Sequence, residues 1–247
     1  IFHSVVSTQM VYNKLAFQHY DTICCNGEYQ FDELTLEEQK FNLPKKNLIK
    51  SGYPLFDKLK IENQNDYEKN KVLIAPSWNP SISDFNEKYY SDIINDLLKK
   101  NYNIIFRPHP EYRKRFSKNY EIFVDKYLSN KNIIFDTGAS LNNIFDSCEI
   151  LITDWSGIAY EFFYFCRRTV IFNDIPLKKL NDDLVAPDEI FEFKFRETIG
   201  HIFDNKSKIT DLIERIRKEG LENKKIDNFF KKNFYNLGNS SQIILEN

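Results

Sequence analysis

From Lys71 to Asp174 short β-rich apolar runs alternate with longer amphipathic segments, and that alternation restricts the chain to repeated βα units around a parallel sheet. The predicted strands are Val72–Ala75, Ile104–Arg107, Ile133–Asp136, Ile150–Thr153 and Thr169–Phe172. The predicted helices between them are Asn86–Lys100, Arg113–Leu128, Leu141–Ser147 and Gly157–Arg167. In the last of these, Ile158, Ala159, Phe162, Phe163, Phe165 and Cys166 recur close to the helical period, so their aromatic rings belong to the core.

Outside this block the pattern changes. Met10–Tyr20 reads as helical, and Thr22–Cys25 and Leu48–Tyr53 read as short strands. The polar, aperiodic stretch 62–70 (ENQNDYEKN) suits a linker, and a domain boundary is expected there. Residues 175–190 read as a loop containing Pro and Asp, Ile209–Arg217 and Ile226–Phe234 as helices, and 236–247 as a tail. The expected domains are therefore 1–62, 71–235 and a tail, 236–247. Because the chain opens at Ile1 directly into structured-looking sequence, it reads as beginning inside a larger protein.

Of the 247 residues, 42% are hydrophobic and 28% charged, which is a globular composition. The net charge of -2 supplies no global basic field, so nucleic acid is not an expected partner. Basic clusters at Arg113-Lys114-Arg115, Arg167-Arg168 and Lys231-Lys232 read first as solvated surface. Cys24, Cys25, Cys148 and Cys166 lack CxxC spacing and lie mostly in apolar segments, as reduced core residues of a cytoplasmic protein would. No run approaches the roughly 20 apolar residues that span a bilayer.

The chemistry concentrates at predicted strand ends, where open α/β folds bind ligands. Arg107-Pro108-His109-Pro110 closes a strand, and each proline holds the preceding residue extended. Arg107 offers a fork matched to phosphate oxygens, and His109 can donate to them or carry a proton. Thr153-Asp154 ends the fourth strand, and Ser156-Gly157 opens the next helix, whose amides and dipole suit a diphosphate. In isolation the same residues also describe an ordinary helix cap. Glu161 lies one turn below Gly157, within reach of a group at the helix mouth. Ser77 and Trp78 follow the first strand, and Gly52-Tyr53-Pro54 forms a turn; both are candidate pocket walls. His3 has no supporting spacing of its own, and none of His3, His19, His109 and His201 fits a metal-ligand pattern. No G-x-S-x-G, P-loop or GxGxxG is present, which argues against a hydrolase, an NTPase and a dinucleotide oxidoreductase.

Taken in order, Phe2-His3, Gly52-Tyr53-Pro54 with Asp57, Ala75-Pro76-Ser77-Trp78, Arg107-Pro108-His109-Pro110, and Thr153-Asp154-Trp155-Ser156-Gly157 through Glu161-Phe162 resemble the CDP-glycerol glycerophosphotransferase family, whose members build teichoic acids and related surface polymers. The resemblance implies an α/β fold of GT-B type, two Rossmann-like domains facing across a cleft. Residues 71 onward would be the nucleotide-donor half, and residues 1–62 the end of the acceptor half. It implies His3 as general base, with Arg107 and His109 on the donor phosphates as the other catalytic residues. Ser77, Trp78, Thr153, Asp154, Ser156 and Gly157 would line the donor nucleotide and diphosphate, and Glu161 would accept from the ribose hydroxyls. No metal and no cofactor is expected. The expected partners are a CDP-activated donor and a lipid-linked or polysaccharide acceptor. Peripheral contact with the inner face of the bacterial membrane, through a part preceding Ile1, is a further expectation for a cytoplasmic enzyme.

The chain departs from the family where Phe2-His3-Ser4 replaces Trp-His-Gly, Trp155 replaces Tyr, Gly157 replaces a second Ser, and Glu161 follows Tyr160 in place of Phe-Asp. These departures leave room for another polyol phosphate or a sugar nucleotide as donor. Two other readings therefore stand beside the first: a GT-B glycosyltransferase or sugar-nucleotide 2-epimerase using a UDP-sugar, and a non-catalytic nucleotide- or glycan-binding module of a polymer synthase.

Overall fold

The computed structural model describes residues 2, 4–58, 67–138, 142–181, 183–220 and 222–247. The chain divides into two compact units, Ile1–Lys60 with Leu177–Arg196 and Glu222–Asn247, and Ile61–Pro176 with Glu197–Leu221. Residues 177–196 and the C-terminal segment thus join the first unit, whereas the sequence assigned 71–235 to one domain and left 236–247 as a tail. Most of the expected linker lies outside the described residues, and Glu68–Asn70 already belong to a strand.

The first unit begins with α1 (Thr8–Val11), β1 (Thr22–Cys25), α2 (Glu28–Lys40), β2 (Asn47–Lys50) and α3 (Leu55–Lys58), with β1 and β2 paired in parallel from Thr22 opposite Asn47. The helix expected over Met10–Tyr20 stops at Val11: Tyr12 is extended and Leu15 is left-handed at φ 65°. The aromatic side chains explain the break. Tyr12 and Phe17 turn back to pack on Phe2, at ring separations of 5.8 and 5.5 Å.

The second unit runs through β3 (Glu68–Ile74), α4 (Phe85–Lys99), β4 (Asn103–Phe106), α5 (Pro110–Arg115), α6 (Ser117–Tyr127), β5 (Ile133–Phe135), α7 (Asn142–Ser147), β6 (Cys148–Thr153), α8 (Ile158–Cys166) and β7 (Val170–Asn173). After α9 (Phe191–Ile199) come β8 (Gly200–Phe203) and α10 (Ile209–Glu219), followed in the first unit by α11 (Asn223–Asn233) and α12 (Ser240–Glu246). Among the described residues, six parallel strands form one sheet in the order β5-β4-β3-β6-β7-β8. Counted from β3, this is the doubly wound order 3-2-1-4-5-6, whose direction of winding reverses between β3 and β6. Every residue of β6 and β7 is buried, as expected of strands covered on both faces.

The strand positions expected from sequence hold to within a few residues. The helix expected over Arg113–Leu128 is instead two, because Phe116 leaves the helical region at φ -124°, ψ 44°. β8 went unread. Its Gly200 sits so close to β7 that a Cβ would overlap the Val170 carbonyl oxygen, so its sequence is fixed by backbone approach and not by apolar alternation.

Arg168, expected on a solvated surface, is buried, with Nε donating to the Cys166 carbonyl at 3.3 Å and Nη1 to the Asp146 carbonyl at 3.2 Å. Three of the cysteines are buried and all four are free thiols. Burial pushes the Cys25 and Cys166 thiols up to about 12 and Cys148 up to about 11, which suits inert packing. Among the described residues no helix is long and apolar enough to cross a membrane.

Candidate functional site

The carboxyl ends of β3, β4 and β6 meet at the reversal of the strand order, and the loops leaving them stay in register beyond the strands. Ala75 donates to the Ile152 carbonyl at 2.9 Å, Arg107 to Ile74 at 2.8 Å, His109 to Pro76 at 3.0 Å and Asp136 to Phe106 at 2.9 Å. Ladder bonds therefore carry the sheet's rigidity into the segments that bear the functional side chains.

Behind these segments lies a buried frame. The Thr153 hydroxyl donates to the Ala75 carbonyl at 2.7 Å, tying β6 to β3. Asp154 is 2% exposed and accepts from the Ser77 amide at 3.1 Å and from the Tyr90 hydroxyl at 2.6 Å. Burial raises the Asp154 pKa, and the bonds from Ser77 and Tyr90 oppose that shift. The same buried charge helps to push the Tyr90 hydroxyl well above its ordinary range, after burial itself. Trp155 is buried too, donating Nε1–H to the Ile175 carbonyl at 2.9 Å. Thr153 and Asp154, expected against the donor, are thus buried, with their side-chain oxygens engaged within the second unit.

The front consists of Ser77, Trp78, Arg107, His109, Ser156 and the start of α8. Ser77, Trp78, Arg107, Ser156 and Glu161 are partly exposed, and His109 is exposed. Gly157 is the N-cap of α8 and brings no side chain to cap it, so the first turn is not closed in the manner of an ordinary Ser cap. Nδ1 of His109 accepts from the Glu111 amide at 3.2 Å, which places the ring proton on Nε2 and makes that nitrogen the donor. The His109 ring lies 6.4 Å from the Trp78 ring at 26°, and the Arg115 guanidinium stands 5.3 Å above Trp78. Arg107 is ion-paired through Nη1 to Asp136, with only 16% of its side chain exposed.

Asp136, Tyr90 and Arg115 were not read as site residues from the sequence. Asp136 had a visible signal, since it closes a predicted strand beside the one that Arg107 closes. Tyr90 and Arg115 had none, because each enters from a helix by tertiary packing. Gly52-Tyr53-Pro54, read as a pocket wall, instead meets the C-terminal segment of its own unit: Gly52 has φ +91°, and a Cβ there would overlap the Tyr235 carbonyl and the Ser240 hydroxyl. Asp57 caps α12, accepting from Ser240 N at 3.1 Å and Ser241 N at 2.6 Å. His3 lies outside the described residues. Among the described residues, no group of three or more His, Cys, Asp or Glu is arranged to hold a metal ion.

The family model for CDP-glycerol:poly(glycerophosphate) glycerophosphotransferase matches residues 9–247. The chain belongs to this family. It is 26% identical over 219 residues to the minor teichoic acid biosynthesis protein GgaB of Bacillus subtilis (strain 168), covering 77% of this chain and 22% of that one. Its structure is similar to the wall teichoic acid polymerase TagF, in a variant soaked with CDPG, at TM-score 0.57 and 18% identity, over 94% of this chain and 58% of that one. It is also similar to the UDP-GlcNAc 2-epimerase of Methanocaldococcus jannaschii bound to UDP-GlcNAc and UDP, at TM-score 0.53 and 15% identity, over 92% of this chain and 60% of that one. The chain spans about a fifth of GgaB and 58% of TagF. These likenesses show a GT-B-type fold, as the family resemblance implied.

Proposed function

We propose that this chain transfers polyol phosphate from CDP-glycerol, or a related CDP-polyol, to a hydroxyl of a surface-polysaccharide, teichoic-acid or lipid-linked glycan acceptor. The observation that carries the reading is that Arg107, His109 and the start of α8 follow the carboxyl ends of β4 and β6, the strands that flank β3 at the strand-order reversal, in a chain of this family. Three kinds of donor, a guanidinium, an imidazole and main-chain amides, suit the spread negative charge of a diphosphate in transfer. Membership in the family and the likeness to a polymerase soaked with CDPG support the same donor.

In this reading the acceptor oxygen attacks the phosphorus that bears the polyol and gives its proton to His3, the base implied by the family resemblance. The bond from that phosphorus to the CMP oxygen breaks, and CMP leaves with the electron pair. Arg107, His109 and the α8 amides hold the charge that collects on the leaving phosphate. Trp78 and Ser77 line the nucleotide, and Glu161 accepts from the ribose hydroxyls. Thr153 and Asp154 act one layer back, fixing the loop that carries Ser77. A lipid-linked acceptor would bring the reaction to the inner face of the membrane.

The test adds CDP-glycerol, CDP-ribitol and UDP-sugars separately, measuring calorimetric binding and nucleotide release with a glycan acceptor. Binding of a CDP-polyol with acceptor-dependent CMP release is the expected result. Binding of uridine nucleotides alone overturns the reading in favour of a UDP-sugar enzyme, and binding without release leaves a non-catalytic module.

A further inference from the structure

α5 begins directly after Arg107-Pro108-His109, with Pro110 at its first position and Glu111 at its second. The amides of a helix's first turn have no partner within the helix, and an oxygen of Ser, Thr, Asp or Asn at the N-cap usually takes one of them. Here the N-cap is His109, whose Nδ1 accepts from the Glu111 amide at 3.2 Å. The main chain of Glu111 thereby sets which ring nitrogen of His109 is left to donate. The side chain of Glu111 runs toward the other end of the helix. One carboxylate oxygen accepts from Arg115 Nε at 2.7 Å, and the other lies 3.9 Å from Lys114 Nζ. The bond from Arg115, with the charges of Lys114 and His109 acting in the same sense, holds the carboxyl below its ordinary 4.5, so it is ionised at neutral pH.

A Glu–Arg pair four residues apart on an exposed helix ordinarily adds little to stability. This pair differs in where it delivers the guanidinium. Arg115 stands 5.3 Å over the Trp78 ring, and Trp78 lies 6.4 Å from the His109 ring at an interplanar angle of 26°. Glu111, Arg115, Trp78 and His109 thus close a ring of contacts that returns to the Glu111 amide. The ring spans two loops, since Trp78 follows β3 and His109 follows β4, and the His109 amide joins them by donating to the Pro76 carbonyl at 3.0 Å. An Arg side chain loses rotamer freedom when it settles on an aromatic face, and a carboxylate that already fixes its Nε lowers that obstacle.

We propose that Glu111 is a positioning residue of the donor site: its amide fixes the donor nitrogen of His109, and its carboxylate seats Arg115 on Trp78, so that imidazole and indole meet a nucleoside diphosphate as one unit. The inference deepens the transferase reading and rests on it, since that reading sets Trp78 against the nucleotide and His109 against its phosphates. Glu111 itself touches neither. As an anion near the phosphate contacts, its carboxylate also opposes a diphosphate through charge, so positioning and charge predict changes of opposite sign when it is removed. The charge effect acts between exposed groups and is screened by salt, whereas the positioning effect is not.

The test uses the full chain with Glu111→Ala, Glu111→Gln, Arg115→Ala and the double variant Glu111→Ala/Arg115→Ala, at low salt and at about 0.5 M salt, where exposed charges are strongly screened. The first quantity read is acrylamide quenching of tryptophan fluorescence without ligand, which reports on Trp78 because the chain's other tryptophan, Trp155, is buried. The second is the Kd of CMP and of CDP-glycerol by calorimetry, with kcat where an acceptor supports turnover. Glu111→Ala and Arg115→Ala should each raise the quenching constant about twofold and weaken both nucleotides about fivefold at high salt, and the double variant should lose no more than either alone. Glu111→Gln keeps an oxygen acceptor for Arg115 Nε and should stay within about twofold of the parent in both quantities. In Glu111→Ala, kcat at saturating donor should also stay within about twofold, because the residue-111 amide still holds His109. Nitrogen NMR of the His109 ring should show Nε2 protonated and Nδ1 not, in the parent and in Glu111→Ala alike. Unchanged quenching in Glu111→Ala, losses that add in the double variant, or a His109 ring protonated at Nδ1 overturns the proposal. Nucleotide binding by Glu111→Ala that is tighter at low salt and equal to the parent's at high salt also overturns it, leaving Glu111 as a counter-charge. A parent chain that binds neither CMP nor any CDP-polyol removes the donor reading and this inference with it, while the quenching result shows whether Glu111 seats Arg115.

Discussion

Asp154 accepts from the Ser77 backbone amide at 3.1 and 3.2 Å, one carboxylate oxygen at each distance, so the end of β6 holds the loop that leaves β3. Tyr90 completes the arrangement from α4 at 2.6 Å. Replacing Asp154 by Ala strands the buried Tyr90 hydroxyl, at a cost of about 1–3 kcal/mol when left unpaired, and releases the partly buried Ser77 amide. Asp154→Ala should therefore lower the urea midpoint of the second unit and weaken CDP-polyol binding roughly tenfold, since a freed Ser77 loop no longer presents Trp78. Tyr90→Phe removes one donor and leaves Ser77 held, so its binding loss should be within about threefold. Calorimetric titration of both variants checks this; equal losses would mean that Asp154 matters for stability alone.

Two buried carboxyls give pH dependences of opposite sign. Burial pushes Glu149 upward, but Arg217, donating at 2.7 Å to each oxygen, and the Asn70 amide outweigh it and hold the group below 4.5. A depressed carboxyl stabilises the fold above the unfolded-state value, and that stability is lost as pH falls below it through the folded value, so this loss lies on the acid side of 4.5. Glu192 runs the other way: burial, reinforced by the Glu33 charge, raises it from 4.5 to about 8. Between those values the folded chain keeps a proton that the unfolded chain has lost, so stability falls as pH rises, by up to about 1.4 kcal/mol per pH unit. Glu192→Gln should flatten the curve from about pH 4.5 to about 8, and Glu149→Gln should flatten only the acid limb. Urea midpoints measured for each unit across that range and on its acid side decide it. A Glu192→Gln curve parallel to the parent's above pH 5 rules out this assignment.

How far the sequence could be read follows from which forces wrote it. The strands β3 to β7 were legible because each is a short apolar run bounded by turns, and the positions of Arg107, His109, Ser156 and Gly157 at strand ends followed directly. α2 was silent because its inward face is Gln30, Glu33 and Glu37, chosen to bond a neighbouring backbone and not to enter an apolar core. The membership of residues 177–196 and 222–247 in the first unit was equally silent, since it rests on contacts such as Asp57 with Ser240 that have no local signature. The sequence put the candidate side chains on the loops that leave β3, β4 and β6, but it could not say which of them face inward. Thr153 and Asp154 sit beside Ser156 in the chain, yet their oxygens are engaged within the second unit.

Gly52 offers a test of the docked C-terminal segment. Its φ of +91° disfavours any L side chain, and a methyl there would meet the Tyr235 carbonyl and Ser240 hydroxyl. Gly52→Ala should cost about 2–4 kcal/mol from backbone strain and overlap together. The loss should show as faster amide exchange across α12, where Ser240 and Ser241 otherwise bond Asp57. Exchange that rises only near residue 52 would mean that α12 is held without that turn.

Asp136 tests how much of Arg107 is reserved for the donor. The carboxylate pairs with Nη1 of Arg107, orienting the guanidinium while cancelling part of the charge that a diphosphate would meet. Asp136→Asn keeps an oxygen acceptor for Nη1 and deletes the negative charge. At a charge separation of about 8 Å and an effective dielectric near 40, that removes about 1 kcal/mol of repulsion toward each unit of phosphate charge. The variant should therefore bind CMP and CDP-polyol about fivefold tighter, with a steeper dependence on salt, as expected when a partly buried cation loses its neutralising partner. Tighter product binding should also slow turnover wherever CMP release limits it. Asp136→Ala removes the orienting acceptor as well as the charge, so it should gain less affinity than Asp136→Asn, and the difference measures what orientation contributes. Weaker nucleotide binding by Asp136→Asn at low salt would mean that the Arg107–Asp136 pair acts as a structural unit and that the phosphate charge is met elsewhere.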